Sequence, residues 1–134
     1  MGKRVLVVED SDEGRSALLA AISAAHVITY ANSGDEAQAL ITDASERLTP
    51  YNLVVIDIDL PGVSGLEVVS LLRQLEEPRK LAGGAGGTKV LILSDNPDGQ
   101  LIYSANALAC EAFLVKPLDE EKLKREIERL CPLD

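Results

Sequence analysis

Leu53-Val54-Val55-Ile56-Asp57-Ile58 is the stretch on which the fold turns. Four consecutive apolar residues, three of them β-branched, leave no polar face, the pattern of a parallel strand covered by helices on both sides. The run closes on carboxylates, Asp57 and Asp59. Working outward, similar short runs occupy residues 5–8 and 26–30 ahead of it and residues 89–93 and 112–115 after it. Helical periodicity fills the gaps. Leu18, Leu19 and Ile22 share a face, and Ser33-Gly34-Asp35-Glu36 reads as a capping box opening a helix whose stripe is Ala37, Leu40, Ile41, Ala44 and Leu48. Leu66, Val69, Leu72 and Leu75 predict a helix over 66–76 closed by Pro78. Leu101, Ile102, Ala105 and Leu108 mark a fourth helix. A fifth starts near Asp119, burying Leu123, Ile127 and Leu130.

Five strands alternating with five helices in 134 residues predict an open, doubly wound parallel α/β sheet, because an eight-fold barrel needs about 200 residues or more. Right-handed crossovers restrict the topology to a few orders. The chain is expected to form one domain over 1–134 with no output domain. Hydrophobic residues make up 46% and charged residues 26%, enough apolar side chains for a core without disulfide or metal staples. Cys110 and Cys131 have no C-x-x-C or histidine context for zinc and read as reduced thiols.

Lys+Arg 13 against Asp+Glu 22 gives a net charge of −9, which argues against duplex DNA or an anionic membrane as a direct partner. The apolar run after Lys3-Arg4 is too short for a signal peptide or a span, and Leu6 stands where a myristoylation signal needs Ser or Thr. The expected location is the cytoplasm. Gly83-Gly84-Ala85-Gly86-Gly87 reads as a flexible loop, because a phosphate cradle would need Gly-Lys-Ser/Thr leading into a helix.

In doubly wound sheets function lies at the carboxyl ends of the strands, and the unusual residues gather there. Glu9 and Asp10 end the first strand and Asp57 and Asp59 the third. Ser94, Asp95 and Asn96 follow the fourth, and Lys116-Pro117 follows the fifth. Any one acid at a strand end reads equally well as a solvated loop residue; the set does not. Carboxylates gathered on one edge repel one another unless a cation is bound, and hard oxygen ligands with open positions favour Mg²⁺. A lysine and a hydroxyl opposite would face the anion such a metal recruits. The arrangement is that of a phosphoryl-transfer site with a carboxylate nucleophile.

Val7-Val8-Glu9-Asp10, Asp57-Ile58-Asp59-Leu60-Pro61-Gly62-Val63-Ser64-Gly65, Leu93-Ser94 and Val115-Lys116-Pro117, in that order, resemble the receiver domain of two-component response regulators. The likeness is to the stand-alone kind related to the chemotaxis regulator and covers essentially the whole chain. It implies a flavodoxin-like (βα)5 fold with strand order 2-1-3-4-5. It also implies a phosphoacceptor signalling domain rather than an enzyme, one that promotes its own phosphorylation and dephosphorylation. Asp57 would be the phosphoryl acceptor. Asp10 and Asp57 would bind Mg²⁺ through side chains, Asp59 through its backbone carbonyl and Glu9 through a water. Lys116 would pair with a phosphoryl oxygen, and Ser94 would bond the phosphoryl group and swing inward. Phe113 stands at the position of the switch aromatic and reads equally as core packing. Pro117 stands at the position of a cis proline. The implied partners are a sensor histidine kinase or histidine phosphotransfer protein and a downstream protein target met by the face of the fourth helix, fifth strand and fifth helix.

Two residues depart from that pattern. Asp95 follows Ser94 where the family has a small residue, and Asp59 adds a second carboxylate; each raises the Coulomb cost of an incoming anion. A receiver-like scaffold working without phosphorylation is therefore an alternative. Asp57-Ile58-Asp59 also resembles the Asp-x-Asp motif of haloacid-dehalogenase-type phosphatases, although Pro61 and the motif's place on the third strand speak against it.

Overall fold

The computed structural model describes residues 2–80, 87–95 and 99–133. Strands β1 (Arg4–Val8), β2 (Val27–Ala31), β3 (Leu53–Asp57), β4 (Lys89–Ser94) and β5 (Ala112–Val115) alternate with helices α1 (Asp12–Ala21), α2 (Gly34–Glu46), α3 (Gly65–Lys80), α4 (Gly99–Ala107) and α5 (Glu120–Leu130). All pairings are parallel and the order is β2-β1-β3-β4-β5, the flavodoxin-like arrangement that the resemblance implies.

The alternation of side chains along each strand builds two cores. Leu6, Val8, Val54, Ile56, Val90 and Ile92 face α2 and α3, meeting Ile41, Val68, Val69 and Leu72. Val5, Val7, Leu53, Val55, Leu91 and Leu93 face α1 and α5, meeting Leu18, Ile22, Leu123, Ile127 and Leu130. The central strands are buried on both faces, as their unbroken apolar runs require.

Element ends depart from the sequence reading where tertiary bonds decide them. α2 stops at Glu46, so Leu48 leaves the apolar stripe and is 72% exposed. Leu48 holds φ 60° just past the cap, while its N–H donates to Ser45 O and that of Thr49 to Ala44 O. That is a Schellman stop built on leucine in place of the usual glycine. α3 runs through Pro78 to Lys80, because a proline so close to the end of a helix removes one bond with little helix left to break. Leu19 turns outward, since α1 buries Leu18 and Ala21, with Ile22 buried at its C-cap. Leu108 lies just past α4, and Ser94 is the last residue of β4 rather than the first beyond it. His26 stands before β2, buried, with Nδ1 accepting from Lys3 N–H at 2.9 Å and Nε2 3.1 Å from Cys131 O. Glu36 reaches back to the Asn32 N–H, one residue before the cap, while Ser33 accepts from Glu36 N–H. Residues 83–86 of the glycine-rich stretch, and Asn96, lie outside the described residues.

Cys110 and Cys131 are free thiols. Burial pushes the Cys110 thiol up to about 11, against the pull of Arg73.

Away from the strand ends that carry the acids, Arg73 ties three elements together. Its guanidinium donates to Leu108 O (2.9 Å), Ala109 O (2.9 Å) and Thr88 O (2.8 Å) and pairs with Glu76 (2.7 Å) and Glu111 (3.4 Å). Those carboxylates in turn accept from Thr88 N–H and Val90 N–H at the start of β4. Only a planar fork serves so many acceptors at once. Arg73→Lys is expected to lower the unfolding free energy by about 1.5–3 kcal/mol, read as a fall in urea midpoint at unchanged slope. An unchanged midpoint would show that the network adds nothing to stability.

Candidate functional site

Strand register and side-chain parity assemble the site. Val8 pairs with Ile56, so the next residues, Glu9 and Asp57, stand side by side at the carboxyl ends of β1 and β3. Asp57 pairs with Leu93, and Ser94 with Val115, which brings the end of β4 and the residue after β5 to the same edge. Glu9, Asp57 and Lys116 each fall two residues after a side chain of the α1/α5 core, namely Val7, Val55 and Leu114. Period-two alternation therefore places all three on one face.

The distances follow from that placement. Lys116 Nζ lies 2.7 Å from Asp57 Oδ2 and 3.1 Å from Glu9 Oε2. Both carboxylates are buried, Glu9 at 1% and Asp57 at 3% exposed. The other oxygen of Asp57 accepts from the Asp59 N–H at 2.9 Å. Glu9, Asp10 and Asp57 offer carboxylate oxygens all within 4.8 Å of one another, and Asp10 is the exposed member. The Asp59 carboxylate has left that group: its Oδ2 accepts from Ser94 Oγ at 3.4 Å and from Asp95 N–H at 3.2 Å. Three of the four acids thus converge by their side chains, and the fourth reaches toward β4.

Burial, reinforced by the charge of Asp57, holds the Glu9 carboxyl above its ordinary range, and the bonds from Lys116 and Ser11 only partly offset this. Burial acts to lower the Lys116 ammonium, but its bonds to Asp57 and Glu9 and their charges outweigh burial and raise it. The lysine is therefore a fixed cation between two acids.

Ser94 is fully buried at the end of β4, and Asp95 is exposed. Phe113 lies on β5 beside Ile92, half-buried and packed against the α2/α3 core. The Lys116–Pro117 peptide bond is cis. Gly62 turns the segment after β3 with φ 74°. A Cβ on Gly65 would lie 2.7 Å from Asp57 O and from Ile58 Cα, so only glycine lets α3 begin against the end of β3.

Two supporting residues escape the sequence reading. Ser11 caps α1 and bonds Glu9 Oε1 through its N–H (3.3 Å) and its hydroxyl (3.4 Å). Gly14 leaves the space that Glu9 occupies, since a Cβ there would come within 2.6 Å of its carboxyl carbon. The run Ser11-Asp12-Glu13 is a legible cap signal. Gly14 carries none that a single sequence exposes.

The chain matches the family model described as the response regulator receiver domain over residues 5–128. The sensory/regulatory protein RpfC of Xanthomonas campestris pv. campestris is 30% identical over 121 residues, 90% of this chain but 15% of that protein. The chain thus spans a small part of that relative. The response regulator receiver protein CpdR of Brucella abortus is 28% identical over 131 residues, covering 96% of each chain. Two-component response regulator ORR41 of Oryza sativa subsp. japonica is 29% identical over 123 residues, 90% of this chain and 87% of that one. Among solved structures, the chemotaxis protein CheY4 of Vibrio cholerae superposes with a TM-score of 0.74 at 22% identity, over 97% of this chain and 99% of that one, a likeness of fold. No helix among the described residues is long and apolar enough to cross a membrane.

Proposed function

This chain belongs to the response regulator receiver domain family, and from that membership we propose that it accepts a phosphoryl group on Asp57 and passes the change to a protein partner. The observation that carries this reading is the Asp57 carboxylate itself, buried, fixed at one oxygen by a backbone N–H and at the other by Lys116, beside two further acids.

Glu9, Asp10 and Asp57 make a hard, all-oxygen donor set with an exposed member, which fits Mg²⁺. Asp10 and Asp57 would hold the ion by their side chains, Asp59 by its backbone carbonyl and Glu9 through a water. When bound, the ion neutralises charge on the oxygens of the transferring group.

The chain's own residues account for the rest. An Asp57 oxygen attacks phosphorus, forming the acyl phosphate as the bond to the leaving group breaks; that group is a histidine nitrogen of the donor protein or the acetate of acetyl phosphate. Lys116, freed from one carboxylate oxygen, pairs with a phosphoryl oxygen, and the Ser94 hydroxyl donates to another. The acyl phosphate carries about −1.5 to −2 of charge at neutral pH where the carboxylate carried a single one, and it adds phosphoryl oxygens as acceptors. Movement of Ser94 and Phe113 then alters the face of α4, β5 and α5, where a downstream protein binds. The donor is a sensor histidine kinase or a histidine phosphotransfer protein, and the chain acts in the cytoplasm as a receiver.

Intact mass after incubation with acetyl phosphate and Mg²⁺ tests the reading. One phosphoryl adduct, absent in EDTA and discharged by hydroxylamine as an acyl phosphate is, is expected. No adduct in a protein that still binds Mg²⁺ would turn the assignment to a scaffold that binds partners unphosphorylated.

The metal site has its own test. Saturating Mg²⁺ is expected to raise the melting temperature, by mass action and by relief of repulsion among the three acids, and at 100 times Kd the gain is about 2.7 kcal/mol. Asp10→Ala should remove most of that shift. A thermal midpoint indifferent to Mg²⁺ in the unaltered protein would count against the site.

A further inference from the structure

The Asp59 carboxylate has no part in the reaction proposed above, which uses only that residue's backbone carbonyl. Yet one of its oxygens, Oδ2, accepts from two donors at the end of β4: the hydroxyl of Ser94, its last residue, at 3.4 Å and the N–H of Asp95, the next, at 3.2 Å. The hydroxyl is the group that would bond a phosphoryl oxygen on Asp57, and the N–H belongs to the adjacent residue. Asp59 is itself fixed by its N–H to Asp57 Oδ1 at 2.9 Å, so acceptor and nucleophile are parts of one two-residue unit. An anionic oxygen bridging these donors does what an oxygen of a phosphorylated Asp57 would do from nearby.

We propose that the Asp59 carboxylate is an internal stand-in for the phosphoryl group: it holds Ser94 and the Asp95 amide in the unphosphorylated protein, and an anion arriving on Asp57 must displace it. This rests on the phosphoacceptor reading of the site. Two consequences follow from a competition for shared donors. Ser94 and the Asp95 amide are already restrained before phosphorylation, so the conformational difference at these two residues is small. The phosphoryl-like anion also gains only the difference between its own bonds to Ser94 and Asp95 and those it replaces, which lowers its affinity. Asp59 is thus a positioning residue acting through Ser94.

Simple charge repulsion from Asp59 would lower that affinity too, and the test separates the two causes. Asp95 amide exchange is measured by NMR in the unphosphorylated protein. Half-saturation by beryllofluoride, a tetrahedral phosphoryl mimic, is then measured with Mg²⁺ for the unaltered chain, Asp59→Ala, Ser94→Ala and the double variant. Asp59→Ala is expected to speed exchange at Asp95 and to lower the half-saturation concentration by about tenfold, the scale of one to two hydrogen bonds. In the Ser94→Ala background the same substitution should gain only about threefold or less. Asp59→Asn, which keeps the shape and one oxygen acceptor, guards against a misfolded alanine variant and should fall between. An undiminished gain in the Ser94→Ala background would assign the effect to charge alone and overturn the proposal. So would an Asp95 amide indifferent to both Asp59 substitutions. Failure of every variant to bind beryllofluoride, with the Asp95 amide still responding, would overturn the phosphoacceptor reading and the competition with it.

Discussion

Asp57→Asn is expected to take up no phosphoryl group from acetyl phosphate in Mg²⁺, where the unaltered chain forms one adduct. The substitution keeps the volume and one acceptor oxygen, which can serve the Asp59 N–H at 2.9 Å, while the amide NH2 replaces the oxygen that accepted from Lys116 at 2.7 Å. What it removes is the anionic oxygen that forms the new bond to phosphorus, and an amide is no substitute nucleophile. Its second effect has the opposite sign. The charge of Asp57 helps to hold Glu9 above its ordinary range, and neutralising it leaves Lys116 paired with Glu9 and one fewer acid in the cluster. The metal-free variant should therefore melt higher than the metal-free parent, while its response to Mg²⁺ shrinks. An adduct of undiminished yield in Asp57→Asn would place the acceptor elsewhere; a lower metal-free midpoint would show that the Asp57–Lys116 bond outweighs the repulsion it offsets.

Asp57 is legible in the sequence because its strand has no polar face to misread. With Leu53 to Ile56 buried on both sides, a carboxylate directly after them can only sit at the strand's carboxyl edge. The same holds for Glu9 after β1, whereas Lys116 follows β5, a partly buried edge strand, and is legible by its parity with Leu114, which puts it on the same face. Legibility fades where a side chain has a choice. Asp59 lies two residues from Asp57, and nothing in its spacing says that its carboxylate reaches Ser94 and Asp95 instead of joining Glu9 and Asp10; hydrogen bonds across strands decide that. Leu19 and Leu48 fit helical stripes in the sequence, yet one is 52% exposed on α1 and the other lies beyond a Schellman stop that only the bonds of Leu48 and Thr49 define. Gly14 gives no signal in the sequence, and its role as room for Glu9 depends on how closely α1 passes the end of β1.

Lys116→Ala tests the electrostatic design most severely. The ammonium is the cation shared by two carboxylates that are 1% and 4% exposed at their side chains, and its removal leaves both acids facing each other in a site with little water. Breaking a buried pair by deleting one partner costs about 3–5 kcal/mol, and that is the loss of stability expected in EDTA at neutral pH. Mg²⁺ is expected to return much of it, because a divalent cation among Glu9, Asp10 and Asp57 takes over the role of the lost charge. The pH dependence supplies a second signature. Glu9 already sits above its ordinary value of 4.5, and loss of Lys116 removes an opposing influence, so its folded value rises further. A carboxyl whose folded value exceeds its unfolded value binds more protons when folded, and stability then falls as pH rises through the interval above 4.5. Urea midpoints of Lys116→Ala in EDTA should thus come closer to those of the parent at pH ~5 than at pH ~8, since protonated Glu9 no longer repels Asp57. A deficit equal at both pH values and untouched by Mg²⁺ would mean that the lysine stabilises the fold through its packed methylene chain rather than through its charge.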